Sequence, residues 1–176
     1  MGDEWLSSVW PPDATVALRS YPRRFRALLA ALDEDERPDD LAHRPGPDGR
    51  SALDAAADAA ATFRLVADAV RLVASADRPD VPAGAAAEAD RAPVPVGGSR
   101  TTEGVLGELA AAAEALASMA GEVAAEDWRR TGVVAGTGRE VTALDLLREA
   151  VRTGRARLHD AQATLSAVRG RPVELE

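Results

Sequence analysis

The chain has 176 residues and a net charge of −8, from 21 basic residues against 29 acidic ones, with no cysteine. That length suggests one domain over 1–176, and the acidic balance argues against a general nucleic-acid binder, which needs a concentrated basic field. The missing thiols exclude disulfides, thiolate metal sites and cysteine nucleophiles.

Every basic residue is arginine; lysine, asparagine and isoleucine are all absent, the signature of a GC-rich genome of the actinobacterial kind. The opening MGDEWLSS has neither a basic nor an apolar leader region, and no run reaches the roughly 18 apolar residues of a membrane span. A cytoplasmic protein with no membrane partner is expected. Alanine is the commonest residue and aromatics make up only 3%. Alanine is the best helix former and lets helices approach closely, so an all-α fold is the economical reading.

Residues 1–19 read as an irregular lead-in. Pro11-Pro12 interrupts it, and Trp5, Leu6, Val9 and Trp10 serve as apolar anchors. Ser20 stands where an N-cap belongs, followed by Phe25, Leu28, Leu29 and Leu32 at helical spacing, which predicts a first helix over about 20–33. The acid-, proline- and glycine-dense stretch 33–50 reads as a loop. Ser51 with Asp54 resembles a capping box, and Leu53, Ala56, Ala60, Phe63, Val66, Val70 and Val73 predict a second helix over 52–75. Residues 77–100 read as a long connection across a bundle end.

A third helix is expected from Thr101 or Thr102 to about Ala125, on Leu106, Leu109, Ala113, Leu116, Ala120 and Val123. The glycine-bearing loop after it has room for a short extended piece. Thr142 with Asp145 again resembles a capping box, and Leu144, Leu147, Val151, Gly154, Leu158, Ala161 and Leu165 predict a fourth helix over 143–168. Gly154 falls on the apolar stripe, which implies a close backbone approach there. The architecture expected is a four-helix bundle with a long connection between the second and third helices.

Chemistry-bearing motifs are sparse. His43 and His159 have no histidine three or four residues away, so they read as ordinary surface or satisfied histidines rather than ligands. GVVAGTG (132–138) lacks both dinucleotide-site spacing and the P-loop lysine. Charge patterning carries more. Asp54 and Asp58 are i, i+4 neighbours on the second helix, and Arg148, Arg152 and Arg155 line one side of the fourth. They form either two solvated faces with local pairs such as Glu149–Arg152, or a polar pocket of acid–arginine pairs.

The segments DWRRTG (127–132), GREVTALDLLREAV (138–151) and GRARLHDAQATL (154–165) resemble the C-terminal half of DinB-like proteins, which include mycothiol-dependent isomerase-type bundles. YPRRFRALLAAL and RPGPDGRSALDAAADAA follow the same pattern in order, so the resemblance covers about residues 20–168. It implies a four-helix bundle, often a homodimer, in which many members hold a divalent metal through a histidine on the second helix and an HxxxH pair on the fourth. Laid on this chain, those positions fall on Asp58, Arg152 and Ala156, with Arg50 where an aromatic is common.

A permanent cation repels a metal and alanine offers no donor, so no metal and no cofactor are expected. Asp58 paired with Arg152, helped by Arg155, would neutralise charge at the vacated position. The resulting expectation is a binding or structural protein with a pocket near Asp54, Asp58, Arg148, Arg152 and Arg155, suited to an anionic small molecule. The competing expectation is a metal-independent, thiol-dependent transferase or isomerase.

Overall fold

A computed structural model describes residues 8–30, 38–86 and 101–169. Four long helices dominate it: α1 (Pro11–Ala30), α3 (Ala52–Ser75), α4 (Thr102–Glu122) and α5 (Ala143–Arg169). A short α2 (Pro38–His43) sits between α1 and α3. Three brief strands, β1 (Asp80–Val81), β2 (Thr131–Val134) and β3 (Glu140–Thr142), form one small sheet. Around the bundle, α1 packs on α4, α4 on α3, α3 on α5, and α5 back on α1. The chain therefore passes from α1 to α3 and from α4 to α5 across the diagonals of the bundle.

The helix starts follow from local chemistry. Ser51 Oγ accepts from Asp54 N–H at 3.1 Å, while Asp54 Oδ2 accepts from Ser51 N–H at 2.8 Å, a reciprocal capping box for α3. Thr142 and Asp145 make the same exchange at the start of α5, at 3.0 Å in each direction. Thr101 caps α4 through Gly104 N–H.

The first helix begins nine residues before the position read from the sequence, at Pro11 instead of about residue 20. Both prolines fall in the first turn, where no intrahelical N–H is needed, and Asp13 accepts from Trp10 N–H at 3.4 Å. Ser20 is thus an interior residue whose hydroxyl donates to Ala17 C=O, not an N-cap. Pro22 is also interior; the helix persists through it because Leu18, Tyr21, Phe25 and Leu29 on either side are all buried. Trp5 and Leu6, the end of the expected first helix at 31–33, and most of the long connection (87–100) lie outside the described residues.

The loop expected over 33–50 contains α2, anchored by the buried Leu41 and Ala42. The connection after α4 holds the β2–β3 hairpin, with Thr131 opposite Thr142 and Gly132 opposite Val141. β1 joins β2 in parallel, pairing Asp80 with Val133. Gly132 is required there: a Cβ would stand 2.6 Å from Val81 Cγ2 and 2.9 Å from Val73 Cγ2.

Leucine, valine and two phenylalanines fill the core, with Phe25, Phe63, Leu109, Leu116 and Leu147 fully enclosed. Small side chains bring the helices close. A Cβ on Gly154 would lie 2.5 Å from Tyr21 Cε2, as expected from its place on the stripe. The Tyr21 ring cannot swing aside, since its hydroxyl donates to Val151 C=O at 2.8 Å and it packs against the Phe63 ring, tilted by 36° at 6.1 Å between centroids. Burial raises the Tyr21 pKa, against the opposing pull of Arg24 and Arg155.

At the surface, Arg19 grips Glu114 with two N–H groups at 2.8 and 2.9 Å and clasps α1 to α4.

Two predictions follow from these contacts. Gly154→Ala will destabilise the bundle by about 1–3 kcal/mol through overpacking against Tyr21, read by urea denaturation; unchanged stability would refute the close contact. The Arg19 hydrogen bonds, helped by Ser118, lower the Glu114 pKa from 4.5 to about 2. Because the folded value is depressed, the stabilisation is complete above about pH 4.5 and disappears as the pH falls towards 2. Carboxyl carbon shifts in a pH titration should place its midpoint near 2, and a midpoint near 4.5 would show the clasp to be open.

Candidate functional site

Asp58 is the polar centre of the bundle. The first two and a half turns of α3 are enclosed on almost every side, from Ala52 to Ala60, and Asp58 is only 1% exposed. A carboxylate so buried requires a cationic partner, because desolvation of a lone charge is prohibitive. Arg157 of α5 supplies it, its Nε donating to Asp58 Oδ2 at 2.5 Å. Arg50 approaches the same oxygen at 3.8 Å.

Each arginine is positioned by its own element. Arg50 closes the turn PGPDGR, in which Gly46 N–H donates to Arg50 C=O at 2.8 Å and Arg50 N–H donates to Asp48 Oδ1 at 3.1 Å. Gly49 takes φ +78°, a conformation glycine adopts without penalty. The turn delivers Arg50 immediately before the cap of α3, two helical turns from Asp58. Arg157 lies along a line of small buried residues on α5 (Ala150, Gly154, Ala161, Thr164) that leaves room for its long side chain. Asp160 holds its other end, accepting from Nη1 at 2.8 Å. Burial opposes the Arg157 charge, but the Asp160 and Asp58 carboxylates outweigh it and raise its pKa. Asp58 Oδ1 and Arg50 Nε are both buried with no hydrogen-bond partner.

The expected pairing of Asp58 with Arg152 is corrected by this geometry. Arg152 donates from Nε and Nη2 to Glu149 at 2.8 and 2.6 Å, the local i, i+3 pair that the sequence also allowed. Arg155 is exposed on α5 and is not a partner of Asp58. Arg148 donates to Val9 C=O at 3.0 Å and approaches Asp145 at 3.9 Å, towards the other end of α5. Asp54 is committed to the Ser51 cap. Of the five residues singled out in the sequence, only Asp58 stands in the buried cluster; Arg50, Arg157 and Asp160 complete it. Arg157 was legible in principle, since it stands three residues after Gly154 and four before Ala161 on a line of small residues.

His43 ends α2 and His159 is exposed on α5. Among the described residues no group of three or more histidines or carboxylates is placed to hold a metal ion. No helix among them is long and apolar enough to cross a membrane. A separate cavity of about 740 Å³ opens where the start of α1 meets the end of α4, between Trp10 and Trp128. It is lined by apolar residues apart from Thr15 and Arg129.

The buried pair gives a direct test. Arg157→Ala will leave Asp58 with only the distant Arg50 and should cost about 3 kcal/mol, the low end for a broken buried pair because Arg157 is a quarter exposed. The double variant Asp58→Ala/Arg157→Ala should recover most of that loss. Additive costs in chemical denaturation would show that the two side chains do not interact.

No family model and no curated protein matches the sequence. Among solved structures, YfiT from Bacillus subtilis superposes with a TM-score of 0.69 over 98% of this chain and 91% of that one, at 13% identity. That protein is described as "a probable metal-dependent hydrolase with an unusual four-helix bundle topology". The chain accordingly has an all-α four-helix-bundle fold like that of YfiT.

Proposed function

We propose that this bundle is a metal-independent binding protein for a small anionic molecule. The observation that carries the reading is Asp58, a fully buried carboxylate whose charge is met by two guanidinium groups. Shifting the family resemblance by one residue brings its fourth-helix ligand positions onto Thr153 and Arg157. Thr153 donates to Glu149, and Arg157 occupies the carboxylate that a metal would need. A cation at that point would face two fixed positive charges, and both carboxylates of the cluster, Asp58 and Asp160, are engaged by Arg157, so these residues do not fit a divalent metal.

The anion preference rests on Arg50. Among the described residues its one ion-pair contact is the loose one at 3.8 Å, it is about a quarter exposed, and its Nε has no acceptor. A carboxylate or phosphate group matches such a fork. The thiol-dependent transferase or isomerase reading has less support. A catalytic cavity needs convergent polar groups. The 740 Å³ cavity is walled by apolar side chains and lies far from Asp58 along the bundle.

Metal analysis by mass spectrometry of untagged protein should give well under one ion per chain, and zinc, nickel or manganese should leave the Tm unchanged. Citrate, used as a simple polyanionic probe at matched ionic strength, should raise the Tm of the wild type and not that of Arg50→Ala. One tightly held metal per chain, lost in Asp58→Asn, would overturn the metal-independent reading; equal citrate effects on both proteins would overturn the anion site.

A further inference from the structure

We infer that the cavity between Trp10 and Trp128 is a second binding site, taking a planar aromatic molecule that bears a single carboxylate. At about 740 Å³ it has the size of a small-molecule site. Pro11, Pro12, Val123 and Leu144 join the two indoles in its walls, so the body of an occupant must be apolar. The one charged side chain on its lining is Arg129. That guanidinium is exposed and has no ion-pair or hydrogen-bond partner among the described residues, in a chain whose net charge is −8. An unpaired cation beside an apolar cleft selects an acidic head group on an apolar body, by charge complementarity and by the fit of a guanidinium fork to a carboxylate.

The mount of Trp10 supports the assignment. The residue is 60% exposed, yet its backbone is held on both sides. Trp10 N–H donates to Asp13, Trp10 C=O accepts from Ala14 N–H at 2.9 Å, and the preceding Val9 is buried with its C=O accepting from Arg148. Trp128, on the same cavity's lining, is 7% exposed in the tight turn Asp127–Arg129. A buried aromatic residue and an exposed tryptophan on a fixed backbone give the cavity two aromatic surfaces for a flat ring to pack on, and aromatic contacts of this kind add to burial alone. The site is independent of the Asp58 cluster: Leu144 and Arg157 are separated by roughly 20 Å along α5 at about 1.5 Å per residue.

The test uses the full chain with naphthylacetate and its neutral amide, naphthylacetamide, followed by tryptophan fluorescence and calorimetry. Naphthylacetate should bind one per chain, more tightly than the amide. Arg129→Glu should weaken the acid by about tenfold or more and leave the amide unchanged. Trp10→Ala, at an exposed ring whose loss does not open the core, should weaken both. Citrate should not displace naphthylacetate, which separates this site from the one at Arg50. The inference is overturned if neither variant changes either affinity, if citrate competes, or if sedimentation shows a dimer that Trp10→Ala splits, which would make the cleft an interface between two copies.

Discussion

A carboxylate buried in the most enclosed part of the bundle sets the terms for everything around it. Asp58 sits where α3 is surrounded on nearly all sides, and a charge there must be met by cations brought in from other segments. Arg157 reaches it from α5, and Arg50 from the turn that precedes α3. One side chain thereby ties the rotation of α5 and the course of the PGPDGR turn to the helix between them. The small residues flanking Arg157 on α5 are the packing counterpart of this, since only a gap of that shape admits a guanidinium between helices.

The other charges have local work. Asp54 and Asp145 cap the helices on which they stand, Arg152 is held by Glu149 in its own turn, and Arg148 secures the chain just before α1. This division leaves an ionic cluster inside an otherwise largely apolar core. α5 joins two regions, with Arg157 at its middle in the charged cluster and Leu144 near its start on the wall of the cavity lined by Trp10 and Trp128. At its polar centre the bundle carries a carboxylate whose charge is met by arginines from two other segments.

Alanine is what allows the arrangement. The α3 positions from Ala52 to Ala60 are mostly alanine and mostly buried, so neighbouring helices close on that segment without large side chains to interlock. Shape specificity comes instead from a few bulky contacts, of which Tyr21 lying over Gly154 is the tightest. The same economy explains the exposed indole of Trp10: the core is already filled by leucine, valine and the two phenylalanines, and that ring is presented at the surface by a backbone anchored through Val9 and Asp13.

The sequence by itself determined the helical class, the spans of α3 and α5, the Ser51–Asp54 and Thr142–Asp145 caps, and the close approach at Gly154. All of these follow from spacing or from groups within four residues of one another, which helical geometry fixes without reference to the rest of the chain. It singled out Asp58 as an acid on the second helix, but not its partners. Periodicity assigns residues to faces within one helix and says nothing of how that helix is rotated against its neighbour, so Arg152 and Arg157 could be told apart only by packing. The start of α1 was likewise obscured, because Pro11-Pro12 reads as a break until the first-turn geometry shows that no N–H is missed. The cluster at Arg50, Asp58 and Arg157 and the cavity at Trp10 and Trp128 join segments about a hundred residues apart, and tertiary structure alone brought them together.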